Sequence, residues 1–317
     1  MARIVVIGGP TASGKSAVAA RLAEALSGTV INADALQVYA ELEILTARPS
    51  ATETARLPHR LYGVLSARER CTAARWRGLA LTAIDAESAR GRVPILVGGT
   101  GLYIRALLEG LSEIPAIPES LRVELRAVGD SGALHRRLAQ IDPLVAARLR
   151  PSDRQRVLRA LEVKLATGRG LAEWHAGLRT AQGPEALCLV VNRQREELYA
   201  RCDARFAAMI ESGALDEIDR LANMELEPSL PAMKAIGVRP LLAYRRGESD
   251  LATAIAKGQQ ETRNYAKRQL TWFRHQLKQA RMCDLTGADN RQFSERFDRE
   301  ILPIIRQFLL TSPSASG

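Results

Sequence analysis

The chain predicts an α/β fold: a parallel sheet with a P-loop, of the nucleoside-triphosphate-hydrolase type, interrupted by an all-helical domain. Three observations lead there. "RIVVIG", "GGPTASGKSA" and "SAVAARLAEAL" read in succession as buried strand, glycine-rich loop and amphipathic helix. Two further apolar runs, in "GTVINADALQVY" and "RVPILVGGTGLY", alternate with helical patterns and finish in polar or small residues, as parallel strands with ligands at their carboxyl ends do. From about Ile114 to Gly183 the β-branched runs disappear and short helical patterns separated by Pro, Gly and Ser take over.

Taken in order, the strand from Arg3 delivers a loop matching G-x-x-x-x-G-K-[ST], made of Gly9, Pro10, Thr11, Ala12, Ser13, Gly14, Lys15 and Ser16. Backbone N–H groups of such a loop converge at a helix N-terminus, where partial positive charge favours a polyphosphate. Lys15 adds a full charge and Ser16 a hydroxyl for Mg²⁺. The motif specifies a chain of phosphates with Mg²⁺; adenosine is no part of it. The second strand is expected to end at Asp34 and the third at Gly98, Gly99, Thr100 and Gly101, which sets the P-loop, Asp34 and Thr100 on one rim. The first part of the core therefore runs over 1–113 and the helical domain over 114–184. A strand in "EALCLVVN" and a long helical stretch with a break at Gly213 resume the core over 185–287, before a last helix and a disordered tail in 288–317.

Composition narrows the function. With 317 residues, 46% hydrophobic and 4% aromatic, the chain is neither disordered nor fibrous, and no run approaches the twenty apolar residues of a membrane span. A cytoplasmic, monomeric protein without membrane attachment is expected. Cys71, Cys188, Cys202 and Cys283 lie far apart with no C-x-x-C, so they are read as reduced and structural. The four histidines are scattered and receive no catalytic role. Lys and Arg exceed Asp and Glu by 45 to 35, a formal charge of +10, which points to a polyanionic partner or, on the plain reading, to a generally Arg-rich composition.

Several residues carry chemistry with more than one reading. Asp34 could hold Mg²⁺ through water, accept a proton from an incoming nucleophile, or simply cap a helix over "ALQVYAEL". Thr100 could donate to substrate across the rim or belong to a strand-to-helix turn. Arg154, Arg156 and Arg159 could grip phosphates or form a solvated helix face. In "ETRNYAKRQLTWFRHQLKQAR", at 100° per residue, five of six cations (Arg263, Lys267, Arg274, Lys278 and Arg281) fall in one stripe roughly 60° wide. Arg268 stands apart, and Tyr265, Gln269, Trp272 and Phe273 lie toward the other side. Glu261 is the single acidic residue in the segment, so the stripe favours an external anion such as nucleic acid.

Together, "GPTASGKS", "NADALQVY", "PILVGGTGLYIRALLEGL", "DRQRVLRALEV" and "ETRNYAKRQLTWFR" closely resemble, in this order, the tRNA dimethylallyltransferases, with "AKRQLTWFR" the most specific. The resemblance runs from the P-loop through Arg274 and implies a P-loop core with a helical insertion. It also implies that the loop holds the diphosphate of dimethylallyl diphosphate, whose prenyl group passes to N6 of adenosine 37 beside the tRNA anticodon. Carried over by motif, Asp34 would be the general base, and Thr100 would lie where adenine meets donor. Lys15, Ser16 with Mg²⁺ and Arg205 in "CDARFAAM" would neutralise the leaving group. Asp34, Ala35, Leu36 and Gln37, Thr100, Arg122, Gln155, Arg156, Val157, Leu158 and Arg159, and Lys267, Arg268, Gln269 and Arg274 would contact the anticodon stem-loop. The segment after Tyr39 departs from the family's D-I-G-T-A-K-P: Leu45 replaces Gly and Arg48 replaces Lys, so no substrate role is assigned to that loop. Without the Cys₂His₂ finger of some eukaryotic relatives, the chain resembles the bacterial type.

Three rival classes share part of this pattern. A small-molecule or nucleotide kinase would use the P-loop and Asp34 but has no use for "RQLTWFR". An adenylate isopentenyltransferase would need no large cationic surface, and its activity would resist salt. A P-loop RNA-binding switch would survive loss of Asp34.

Overall fold

The computed structural model describes residues 2–112, 114–176, 183–287 and 290–311. Its elements run β1 (Arg3–Gly8), α1 (Lys15–Ala25), β2 (Gly28–Asn32), α2 (Ala51–Arg56), β3 (His59–Arg60), α3 (Ala73–Ala89), β4 (Val93–Gly98) and α4 (Gly101–Glu109). Five helices follow: α5 (Glu119–Ala127), α6 (Ser131–Ile141), α7 (Pro143–Ala146), α8 (Arg154–Thr167) and α9 (Leu171–Ala176). The core resumes with β5 (Glu185–Asn192), α10 (Arg195–Glu211), α11 (Ala214–Asn223), α12 (Val238–Arg245), α13 (Leu251–Gln276) and β6 (Arg281–Asp284). After β6 come α14 (Asn290–Arg296), a π-helical turn at Phe297–Ile301 and α15 (Leu302–Leu310).

All six strands form one parallel sheet in the order β3-β2-β4-β1-β5-β6. Parallel strands connected by helices are covered on both faces, so β1 is apolar and buried from Ile4 to Gly8. Its Val5 and Ile7 pack with Val18 and Leu22 of α1 and Ile305 of α15, whereas Ile4 and Val6 share the opposite cluster with Trp76 of α3, Phe206 of α10 and Phe273 of α13. The chain divides into two compact units, Met1–Leu108 with Pro184–Gly317, and Glu109–Gly183. The second has its own core of Leu125, Leu134, Leu138, Val157 and Leu161.

Four sequence expectations are corrected. The helical unit begins at Glu109 rather than near 114. β2 ends at Asn32, and Asp34 lies two residues past it in a turn; residues 35–40 form no helix, so no helix exists for Asp34 to cap. The strands β3 and β6 went unread because two and four residues are too few to display a period. Finally, α13 stops at Gln276, where Leu277 leaves helical geometry with φ −116° and ψ 57°, and Arg281 opens β6 against β5. Lys278 and Arg281 are therefore off the helix, and the stripe shortens to Arg263, Lys267 and Arg274. Of these, Arg263 is paired with Asp203 at 2.5 Å. The tail over 312–317 lies outside the described residues.

Candidate active site

The phosphate loop is built from backbone that few residues tolerate. Gly9 has φ +150°, and a Cβ there would come within 2.4 Å of the Val191 carbonyl. Gly14, at φ +99°, stands at the start of α1, and no side chain caps that helix. The first N–H groups of α1 are thus left for a ligand. Ser13 is fully buried, and its hydroxyl has no hydrogen-bond partner among the described residues. Lys15 Nζ donates to the Pro10 carbonyl at 3.3 Å. Burial pushes its pKa down to about 8, with Arg205 adding to the shift and Asp34 and Cys202 opposing it.

Three arginines fasten the loop from outside. Arg205 on α10 donates to Thr11 Oγ1 at 3.2 Å, and burial lowers its pKa without depriving a guanidinium of its charge. One turn earlier, Arg201 Nε donates to the Ala12 carbonyl at 3.0 Å. Arg193, just past β5, donates to the Ser13 carbonyl at 3.1 Å and the Leu285 carbonyl at 2.7 Å, and pairs with Glu197. Sequence reasoning missed Arg193 and Arg201. The i,i+4 spacing of Arg201 and Arg205 on the helix after "EALCLVVN" was the available signal for a shared target.

Asp34 is held across the cleft by local hydrogen bonds. Asn32, fully buried, accepts from Asp34 N at 2.8 Å and donates to the Asp34 and Leu61 carbonyls, each at 3.0 Å. Thr100 Oγ1 accepts from Ala35 N at 2.9 Å, and Thr100 N donates to the Ala33 carbonyl at 3.3 Å. Thr100 thereby clips the start of α4 to the Asp34 turn, the strand-to-helix turn role of the two the sequence left open. One carboxylate oxygen of Asp34 accepts from Leu36 N at 2.9 Å. Among the described residues its other oxygen has no hydrogen-bond partner, which leaves it available to a proton donor.

The cleft between these groups has two characters. Thr11, Lys15, Ser16, Asp34 and Arg205 make a polar end, and Leu36, Leu45, Phe206, Met209 and Ile236 an apolar wall; Tyr265 also lines the cleft. Burial, and then the charge of Asp34, raise the pKa of the Tyr265 phenol, with Thr100 and Gln269 opposing the shift. Tyr265 and Phe206 were not assigned to the site from sequence, because an aromatic on a helix facing a core gives no separate signal. The loop denied a substrate role does line the cleft, through Leu45, Thr46 and Ala47. Glu217 accepts from the amides of Glu43, Ile44 and Leu45 at 2.7–3.0 Å, and Gln37 Nε2 donates to the carbonyls of Thr46 and Ala47. Leu45 costs the loop flexibility but supplies wall.

The residues the family motif assigns to RNA divide. Lys267, Arg268 and Arg274 are exposed on α13; Lys267 and Arg274 have no ion pair among the described residues, and Arg268 lies 5.8 Å from the Tyr265 ring. Gln269 is 5% exposed, with its amide spent inside the protein, which removes it from the RNA-facing set. In the helical unit Gln155 and Arg156 are exposed and Arg122, Leu158 and Arg159 half-buried, while Val157 is fully buried in that unit's core and is corrected likewise. Its position is one turn of α8 from Leu161, on the inward stripe.

The IPP transferase family model matches residues 37–276 and an isopentenyl transferase model residues 2–70. The tRNA dimethylallyltransferase of Rhodospirillum centenum is 58% identical over 287 residues, covering 89% of this chain and 91% of the relative. That of Paramagnetospirillum magneticum is 51% identical over 98% of each. Among solved structures, a eukaryotic dimethylallyltransferase acting on tRNA superposes with TM-score 0.86 at 27% identity, covering 99% of this chain and 81% of that one. The full-length tRNA isopentenylpyrophosphate transferase of Bacillus halodurans gives 0.72 at 33% identity, covering 98% and 97%. A P-loop facing the Asp34 carboxylate across a half-apolar cleft and these similarities over nearly the whole length lead to one assignment: the chain belongs to the IPP transferase family of tRNA dimethylallyltransferases.

Proposed function

We propose that this protein transfers a dimethylallyl group from dimethylallyl diphosphate to the exocyclic N6 of adenosine 37 in tRNA, releasing diphosphate. The observation that carries this reading is the two-character cleft. Its cationic end suits a diphosphate, its apolar wall suits a five-carbon chain, and the Asp34 carboxylate, with one oxygen unbonded among the described residues, lines the same cleft. A kinase would have no use for the wall.

The chemistry follows from these groups. N6 attacks the allylic carbon, the N–C bond forms as the C–O bond breaks, and Asp34 takes the N6 proton. An amino group conjugated into adenine is a weak nucleophile, so placement and a base must supply much of the rate. Lys15 and Arg205 meet the charge that develops on the departing diphosphate. The exposed Ser16 hydroxyl at the first turn of α1, with no hydrogen-bond partner among the described residues, fits an Mg²⁺ that arrives with its diphosphate and takes few protein ligands. When bound, Mg²⁺ supplies further neutralisation of the leaving group. Extruding the base from its stack costs a few kcal/mol, which phosphate contacts offset; Lys267, Arg268 and Arg274, with Arg122 and Gln155, Arg156 and Arg159 of the helical unit, are proposed to make them.

Two results are expected here. Diphosphate binds protonated Lys15, so above about pH 8 the free protein must first take up a proton. Donor affinity then falls by up to tenfold per pH unit and is flat on this account below pH 8. Calorimetry on wild type and Lys15→Arg checks this, because a permanently charged arginine removes the break while the ligand's own titration stays common to both. Replacing Lys267 and Arg274 with Gln should weaken binding of an unmodified anticodon stem-loop and lower the slope of log K against log salt by about one per cation. Unchanged slopes in fluorescence anisotropy would take both cations out of the RNA contact.

The decisive assay incubates the protein with Mg²⁺, dimethylallyl diphosphate and unmodified tRNA carrying A36 and A37, followed by mass spectrometry of the nucleosides. An adenosine heavier by C5H8 is expected. Its absence, together with ATP consumption on some acceptor, would overturn the reading in favour of a kinase.

A further inference from the structure

We propose that Gln269 is a positioning residue through which the cation-bearing helix α13 holds the phosphate loop, so that RNA and the diphosphate donor bind with positive cooperativity. This rests on the reading above and adds a named coupling element to it. Gln269 Oε1 accepts from Thr11 N at 2.9 Å, and its Nε2 donates to the Gly99 carbonyl at 3.0 Å. One buried amide thus spans the loop that takes phosphates and the rim that carries Thr100, whose hydroxyl holds the Asp34 turn. Among the described residues it is the only α13 side chain hydrogen-bonded to the P-loop.

Small residues make this contact possible. A Cβ on Gly99 would fall 1.9 Å from Gln269 Nε2, and one on Gly101 2.2 Å from the Trp272 ring. A Cβ on Gly8 would fall 2.5 Å from Phe273. Within "GGTG", the space beside Gly99 and Gly101 is filled by α13 itself. The same turn of α13 that reaches inward with Gln269 presents Lys267 and Arg268 to solvent.

Thr11 is therefore gripped twice, at its amide by Gln269 and at its hydroxyl by Arg205. RNA anchored on the outer face of α13 restrains the helix, and through Gln269 it restrains the loop before the donor arrives. Ordering entropy already spent on the first ligand is not spent on the second, and the linkage is reciprocal.

The test measures the dissociation constant of a non-reactive dimethylallyl diphosphate analogue with and without saturating unmodified anticodon stem-loop. Wild type, Gln269→Met and Gln269→Asn are compared. Met keeps the volume without the hydrogen bonds, and Asn keeps the amide but is too short to span both partners. In wild type the analogue should bind at least about fivefold tighter with RNA present, and in both variants the ratio should fall below about twofold, with the same result in the reverse order of addition. A ratio near one in wild type, or one preserved in the variants, overturns the proposal. Should the variants not fold, hydrogen exchange at the Thr11 amide in wild type must slow on adding RNA alone, and an unchanged rate overturns it equally. Failure of prenyl transfer in the wild-type assay would remove the functional reading itself, whereas transfer with cooperativity intact in Gln269→Met removes this inference alone.

Discussion

Asp34→Asn is expected to lower kcat by about 10²–10⁴-fold, the range of general-base catalysis, with tRNA affinity little changed. The substitution is conservative where it must be. An Asn oxygen can still accept from Leu36 N, and the backbone bonds to Asn32 do not involve the side chain of residue 34. The turn should keep its shape while the free oxygen loses its capacity to take a proton. Single-turnover rates with saturating donor and tRNA measure the effect, and anisotropy with the stem-loop supplies the control. Turnover equal to wild type would remove the base assignment, and loss of RNA binding in parallel would make Asp34 a structural residue.

Arg205→Ala should be nearly as damaging, with a loss of about 10²–10³-fold in kcat and a raised KM for the donor. Arg205 is buried enough for its pKa to fall, so its charge acts in a poorly hydrated site where it is worth more than at the surface. It also holds Thr11 Oγ1, so the substitution loosens the loop as well as removing the charge. Arg205→Lys retains the charge but not the planar fork, and should recover part of kcat while KM stays high. Recovery of both parameters by Lys would make Arg205 a plain point charge; recovery of neither would make geometry the larger part.

Much of this site could be read directly from residue types. The P-loop announces itself because its glycines and lysine are demanded by backbone conformation and charge at fixed spacing, and Asp34 and Thr100 follow from the rule that ligands gather at strand carboxyl ends. What stayed hidden depends on distance in the chain. Gln269 sits 258 positions from Thr11 and Arg193 180 from Ser13, and nothing local in "RQLTWFR" or "VVNRQRE" reveals such a partner. The wheel drawn through Arg281 failed for a related reason, since the helix yields after Gln276 to pairing of β6 with β5. Val157 was carried to the RNA side by its motif neighbours although its own apolar side chain belongs inside.

The strand order carries a consequence for how the protein is made. β1, which precedes every other strand of the sheet in the chain, ends between β4 and β5, so its second neighbour is synthesised only when Glu185–Asn192 emerges. Until then one flank of the strand bearing the phosphate loop is an open edge, and the arginines that fasten the loop from 193, 201 and 205 do not yet exist. The intervening helical unit has a core of its own, made of contacts close in sequence, and can form while β1 waits. A nascent chain therefore gains its diphosphate-binding capacity late and in one step. Ribosome-bound chains halted before residue 185 should bind no donor, and the exposed β1 edge makes that interval the one in which chaperones matter most.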